Sequence, residues 1–410
     1  MRRARRSQAV RHRLLASFAS LVSEKSYFDI SVSDISAGAG LSTSSFYTYF
    51  DSKKELLGYY MRESLKLISG IIESLESSSP SPAILVRNLL YTLSTFADVQ
   101  GLAAFYRVFR EIEFIDTSLS REYYQSMLET IGRALTSNLE GLSGGEYWVL
   151  SSMMLGTAQF IHLFSTTLGM RREREPGIEA AGDLLLKGLS REEVEALDYS
   201  VPRVPKLADL INEYHLLDSI GDKVRRKLVE ASIEVLSSKT FRATKVYEIC
   251  DASGYAVGMF YKAYKSKNEL LNDIVSLIGR TLRRYLTNCT RGAGSPVAAE
   301  VRGTACFLGF VERNAQIYRI VRESEYIDLD TAKGYYLRFR EAYENRLSHE
   351  LSKGKILTYN TRALATTLMG INHALGITGP ILGITRDYKL ILATLEKIYS
   401  KGILGIQDYE

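Results

Sequence analysis

The sequence holds few of the residues that catalytic and metal chemistry require. Three cysteines (Cys250, Cys289, Cys306), five histidines, one tryptophan and seven prolines are scattered over 410 residues. An odd number of cysteines at irregular spacing fits neither a disulfide framework nor a zinc site, which points to a reducing compartment, the cytoplasm. There is no Gly-rich phosphate loop, no HExxH and no cysteine pair at metal spacing, so the expectation is no enzyme, no metal and no cofactor. Charge is missing from two stretches, 147–170 and 363–385, which contain no Asp, Glu, Lys or Arg. Each could span a bilayer, which takes about 20 residues. Ser151, Gln159 and His162 interrupt the first, and Asn372, His373 and Pro380 the second. A helix enclosed by other protein is therefore the expectation, with no membrane involved. No run alternates as a half-buried strand would, whereas 7–24 and 221–238 repeat apolar residues at helical spacing.

What is present is repeated. Shifted by 214 residues the sequence falls on itself, with 15 identities in the 48 ungapped positions that pair 10–57 with 224–271. Ile35 and Gly40 meet Ile249 and Gly254, Phe46-Tyr47 meet Phe260-Tyr261, and Ser52-Lys53 meet Ser266-Lys267. "FYRVFREIEFID" (105–116) answers "IYRIVRESEYID" (317–328), and Gly156 answers Gly370. A unit of about 200 residues occurs twice, too long a period for a solenoid. Charged residues with Pro202 and Pro205 mark a linker that discourages regular helix.

Each copy opens with three expected short helices, at 7–24, 32–38 and 42–49 in the first. A glycine turn at 38–41 joins the second to the third, the pattern of a helix-turn-helix whose second helix enters the DNA major groove. Ser42, Thr43, Ser44 and Ser45 at the start of the third helix let backbone approach DNA and offer hydrogen bonds. Phe46 and Phe50, four apart, face the core, leaving Tyr47 and Tyr49 to reach phosphate. Lys53 opens the next helix, behind Ser52-x-x-Glu55, a capping box. The arginines of the N-terminal arm (Arg2, Arg3, Arg5, Arg6, Arg11, Arg13), with no acid among them, suit the minor groove or the backbone.

"GLSTSSFYTYFDSKKELL" (40–57) resembles the helix-turn-helix signature of the TetR (tetracycline repressor) family, and the likeness covers about 50 residues in each copy. It implies base approach by Thr43, Ser44 and Ser45 and phosphate contacts by Tyr47, Tyr49 and Lys53. In the second copy Tyr261 and Lys267 match. There Ala263 replaces the usual Tyr or His, and the helix begins Ala256-Val257-Gly258-Met259, with Lys262 and Lys265 as further phosphate contacts. That copy binds with little base specificity, or serves only as scaffold. The resemblance also implies C-terminal helices that dimerise and enclose a small-molecule pocket.

The expected fold is all-α: two tandem TetR-like units forming an intramolecular pseudo-dimer, with homodimerisation of the chain left open. The domains expected are helix-turn-helix domains at 1–58 and 216–272, helical ligand-binding and dimerisation domains at 59–195 and 273–410, and a linker at 196–215. In the repeated "YR..RE.E(F/Y)ID", Tyr106, Arg107 and Arg110 with Tyr318, Arg319 and Arg322 either bind an anionic effector or form ion pairs along the helix. Phe109, Tyr123, Trp148, Phe160, His162 and His373 are the other candidate pocket residues. The function expected is a ligand-responsive repressor whose partners are double-stranded DNA and a small-molecule effector. Alternatives are a scaffold with one working DNA-binding motif and a DNA-organising protein of low specificity.

Overall fold

A computed structural model describes residues 2–79, 81–99, 102 and 104–407, without the side chains of 2–6, 97 and 407. Among the described residues every regular element is helical. The first copy runs α1 (Arg2–Glu24), α2 (Val32–Gly38), α3 (Thr43–Phe46), α4 (Lys53–Ser78), α5 (Pro82–Thr95), α6 (Phe105–Ile115), α7 (Thr117–Thr136), α8 (Gly144–His162) and α9 (Arg174–Lys187). A linker helix, α10 (Leu207–Glu213), precedes the second copy. That copy runs α11 (Lys223–Leu236), α12 (Val246–Ser253), α13 (Val257–Ala263), α14 (Lys267–Thr290), α15 (Pro296–Arg313), α16 (Ala315–Ile327), α17 (Leu329–Ser352), α18 (Thr361–Gly376) and α19 (Tyr388–Gln407). The two nine-helix series correspond one to one, as the internal repeat requires.

Compact units do not follow the repeat. One spans 1–140 and the other 141–410, so α8 and α9 of the first copy pack within the second unit. There α8 lies on α18, and α9 packs on α18 and α19. This explains the two uncharged stretches: every residue from Val149 to His162 is buried, as is most of 363–379. Both helices end in one wide π turn, at Leu163–Thr167 and Ile377–Ile381, again 214 residues apart. At the crossing Gly156 meets Gly370 backbone to backbone: a Cβ on either would overlap the other's carbonyl. A second glycine pair, Gly188 and Gly402, sits where α9 and α19 meet. Both have positive φ (81° and 65°), and Leu189 N–H donates to Tyr399 O at 2.6 Å. No described helix is long and apolar enough to cross a membrane.

Three expectations need correction. The linker is not wholly irregular: after Pro205, α10 buries Leu207, Leu210 and Ile211, and Leu207 N–H donates to Asn314 Oδ1 at 2.7 Å. Its apolar periodicity outweighs the prolines because both stand before it. The stretch 80–115, whose apolar pattern reads in sequence as one further helix, is two, α5 and α6. Cys289 and Cys306 form a disulfide that ties α14 to α15, with a Cα–Cα distance of 6.6 Å. The hairpin of two antiparallel helices brings together residues whose spacing of 17 carries no sequence signature.

Because the Gly156–Gly370 crossing leaves no room for a methyl group, Gly156→Ala and Gly370→Ala should each destabilise the protein by about 1–3 kcal/mol. Gly70→Ala, at an exposed site in α4 with open space around it, should be neutral or gain up to about 1 kcal/mol. Thermal unfolding of the three variants checks this.

Candidate nucleic-acid interface and bundle cavity

In the first head, Leu14, Phe18, Ile35, Phe46 and Phe50 form a sealed core, each 0–2% exposed. Ser17 Oγ donates to Ile35 O at 2.8 Å, tying α1 to α2. The turn after α2 needs a left-handed residue, and Gly40 supplies it with φ +63°; Gly254 does so in the second head with φ +69°. In both turns the next N–H reaches back five residues, Leu41 to Ser36 O at 2.8 Å and Tyr255 to Cys250 O at 3.0 Å.

The recognition elements differ. α3 is a single turn, shorter than expected, because Thr48 and Tyr49 tighten onto Ser45 O and Phe46 O through i→i+3 bonds. Ser42 caps it, its Oγ accepting from Ser45 N at 3.2 Å and lying 2.9 and 2.8 Å from the Ser44 and Ser45 hydroxyls. Thr43, Ser44 and Tyr47 are exposed, whereas Ser45 and Tyr49 are half-buried. α13 is longer and exposes Val257, Gly258, Tyr261 and Lys262, with exposed Lys265 just beyond it. Tyr47 and Tyr261 occupy equivalent positions at 55% and 58% exposure, far above any packing residue of the same helices. The side chains of Arg5 and Arg6 lie outside the described residues.

The two N-terminal lysines of α4 and α14 point at protein. Lys53 Nζ donates to Tyr27 O (2.8 Å) and Ile30 O (2.6 Å), and Lys267 Nζ to Phe241 O (2.7 Å) and Thr244 O (2.8 Å). Burial lowers the pKa of both, against the pull of Glu111 on one and Glu323 on the other. The capping boxes are also shifted: Glu55 and Glu269 accept from Asp51 N (2.5 Å) and Lys265 N (2.8 Å), one residue before the cap.

Neither reading of the repeated arginine-rich motif foresaw the role of its first glutamate. Glu111, 1% exposed, accepts from Tyr27 N at 3.0 Å and bonds Ser26 Oγ. Glu323, 3% exposed, accepts from Phe241 N at 2.7 Å and Arg242 N at 2.9 Å. Each carboxylate thus grips the connection between the first two helices of its head from α6 or α16, while a lysine grips its carbonyls. Burial raises the pKa of Glu323, and the two backbone bonds resist that shift. The signal available in sequence was the repeat itself, since Glu111 and Glu323 align within it.

Of the expected pocket residues, Phe160, Tyr318 and His373 line a cavity of about 340 Å³ in the second unit. Tyr318 Oη lies 2.7 Å from His373 Nδ1, and the Phe160 ring lies 5.0 Å from the His373 ring and 5.6 Å from that of Tyr336. Phe160 belongs to α8, so the first copy lends a wall to the second copy's cavity. The other candidates are packed or half-buried elsewhere. Tyr106 Oη donates to Leu93 O at 2.6 Å, Tyr123 Oη to Gly58 O at 3.0 Å, and Phe109 stacks on Tyr124 at 4.4 Å. Arg110 and Arg322 are buried at 3% and 2%, Arg107 and Arg319 flank them one turn earlier, His162 is buried and Trp148 half-buried.

Two segments, 14–60 and 228–274, match the family model of the bacterial regulatory proteins of the tetR family, over the helices that form the two heads. No curated protein matches the chain significantly. Each head therefore matches the DNA-binding domain of the tetR family, and the chain carries two such domains in tandem.

Removing a carboxylate that holds buried N–H groups leaves them unsatisfied, at roughly 1–3 kcal/mol. Glu111→Ala and Glu323→Ala should each lose about that much stability. Amide hydrogen exchange should rise at Tyr27 in the first variant and at Phe241 and Arg242 in the second.

Proposed function

We propose that the chain is a ligand-responsive repressor that presents both DNA-binding heads from a single polypeptide and occupies an operator with two unlike half-sites. The observation that carries this reading is the pair of non-identical recognition faces, Thr43, Ser44 and Tyr47 against Val257, Gly258, Tyr261 and Lys262. Operator symmetry mirrors protein symmetry, so unlike heads call for unlike halves. The first half is read by hydroxyls at base edges. The second is held through van der Waals contact from Val257 and through phosphate contacts from Lys262 and Lys265, which gives weaker base preference. The packing of α8 on α18, which two separate subunits would otherwise have to assemble, supports one chain doing the work of a dimer.

Effector response runs through α16. Tyr318 lines the cavity, and Glu323, little more than one turn later on the same helix, holds the second head. A ligand that moves Tyr318 therefore moves the carboxylate that positions the head. Differential affinity for the two positions of α16 is what converts binding into release of DNA.

Paired substitutions test the reading on an operator obtained by selection from random DNA. Thr43→Ala with Ser44→Ala should cost about 1–3 kcal/mol for each hydrogen bond to a base that is removed, and should relax sequence preference in one half-site only. Lys262→Gln should reduce the salt slope by about one and weaken binding without changing preference. Footprints that weaken uniformly over both halves in the first variant would contradict the proposal.

A further inference from the structure

The second copy carries a feature that its fold does not share with the first. A cleft of about 510 Å³ is lined by α11 and the segment before it and by α14 and α17, and four arginines (Arg225, Arg280, Arg283, Arg338) face two aspartates in it. The aspartates are already engaged. Asp222 caps α11 through Arg225 N at 2.8 Å, while Asp273 accepts from Tyr264 Oη at 2.8 Å and pairs with Arg225 at 3.4 Å. Arg280 donates to Ser219 Oγ at 2.6 Å, and its buried Nε has no hydrogen-bond partner among the described residues. Arg283 rests on the Phe339 ring at 5.1 Å and no carboxylate among the described residues pairs with it; Arg338 is exposed on α17. Burial and mutual repulsion with Arg338 lower the pKa of both Arg280 and Arg283, although Asp273 pulls the other way on Arg280. At the matching positions of the first copy stand Lys66, Ser69 and Ser126. Lys66 pairs with Glu63, and Ser69 lies 3.3 Å from Thr130 Oγ1. Arg280, Arg283 and Arg338 are therefore not demanded by the architecture of the unit.

Arg283 also lines the 340 Å³ cavity described above, whose remaining walls include Leu282, Leu286, Phe307, Phe339 and Met369. The arginine cleft and the apolar cavity thus share a wall. Extending the reading of that cavity as an effector site, on which this inference rests, we infer that the two form one site for an amphipathic ligand: a phosphate-bearing, multiply charged head held by Arg280, Arg283 and Arg338, and an apolar body in the aromatic cavity. Guanidinium forks match phosphate oxygens bidentately, and three of them exceed what a single carboxylate needs. DNA is not the anion in question: Arg283 lies 16 residues after Lys267, about 24 Å along α14 from its head-proximal end. The head would also touch Ser219, Ile220 and Gly221, the segment that leads into α11, so occupancy bears directly on the second head.

Calorimetry on the full chain tests this with decyl diphosphate, inorganic pyrophosphate and 1-decanol as probes. Decyl diphosphate should bind more tightly than either other probe. Arg283→Gln and Arg338→Gln should each weaken it by about tenfold or more. Arg338→Gln, at an exposed position, should leave 1-decanol binding and DNA affinity unchanged. If 1-decanol binds and decyl diphosphate binds no better, the head-group assignment fails while the cavity reading stands; if neither binds, both fail. Weaker DNA binding by ligand-free Arg338→Gln, with a shallower salt slope, would make the arginine a DNA contact and overturn the inference.

Discussion

The structure depends on one close approach. Gly156 and Gly370 bring α8 and α18 together with nothing but backbone between them, and around that point each helix buries more than a dozen consecutive positions with hardly a break. Helices that meet so closely exclude water, and a charge placed there would remain unpaired in a low-dielectric interior at a cost of several kcal/mol. The absence of Asp, Glu, Lys and Arg from both segments follows from that constraint. It also accounts for the lack of correspondence between sequence repeat and compact unit, since the last two helices of the first copy are held by the second. The contact of α8 with α18 is thus internal to one chain, which is what the proposed pairing of two heads on a single polypeptide requires.

Symmetry in the scaffold contrasts with asymmetry at the working surfaces. Both copies keep the glycine of the head turn, the lysine on the carbonyls and the glutamate on the N–H groups of the same connection. These groups fix the head relative to its own α6 or α16, and losing one leaves a buried polar partner exposed to desolvation cost. What differs is what faces outward or into a cavity: hydroxyls against Val257 and Gly258 on the recognition helices, and Lys66, Ser69 and Ser126 against three arginines below them. Phe160 of the first copy closes the second copy's cavity, and Ala374 stands at the position equivalent to it.

Much of this was legible in the sequence, for physical reasons. Fold class followed from helical periodicity, and the repeat from an offset of 214 that slips to 212 only between 105–116 and 317–328 and in the helices that follow them. Burial of 149–165 and of most of 363–379 followed from the missing charge of the stretches that contain them, and the head turn from Gly40 and Gly254, which must adopt positive φ. The roles of Glu111 and Glu323 were not legible, because i,i+3 and i,i+4 patterns show only partners on the same helix, and these carboxylates bond backbone 80 or more residues away. The inward turn of Lys53 was hidden for the same reason. The Cys289–Cys306 bond needed the α14–α15 hairpin to become visible, and the arginine cleft needed α17 laid against α14. Short spacings encode elements and caps, whereas long-range polar contacts become apparent only once the helices are packed.

One chain is proposed to supply both halves of a DNA-binding pair. Native mass spectrometry of the protein on its selected operator, across a range of protein concentration, measures this directly. One chain per operator duplex is expected, with a single footprint covering two unlike half-sites and no concentration-dependent second step. Two chains on each duplex, each engaging through only one head, would contradict it.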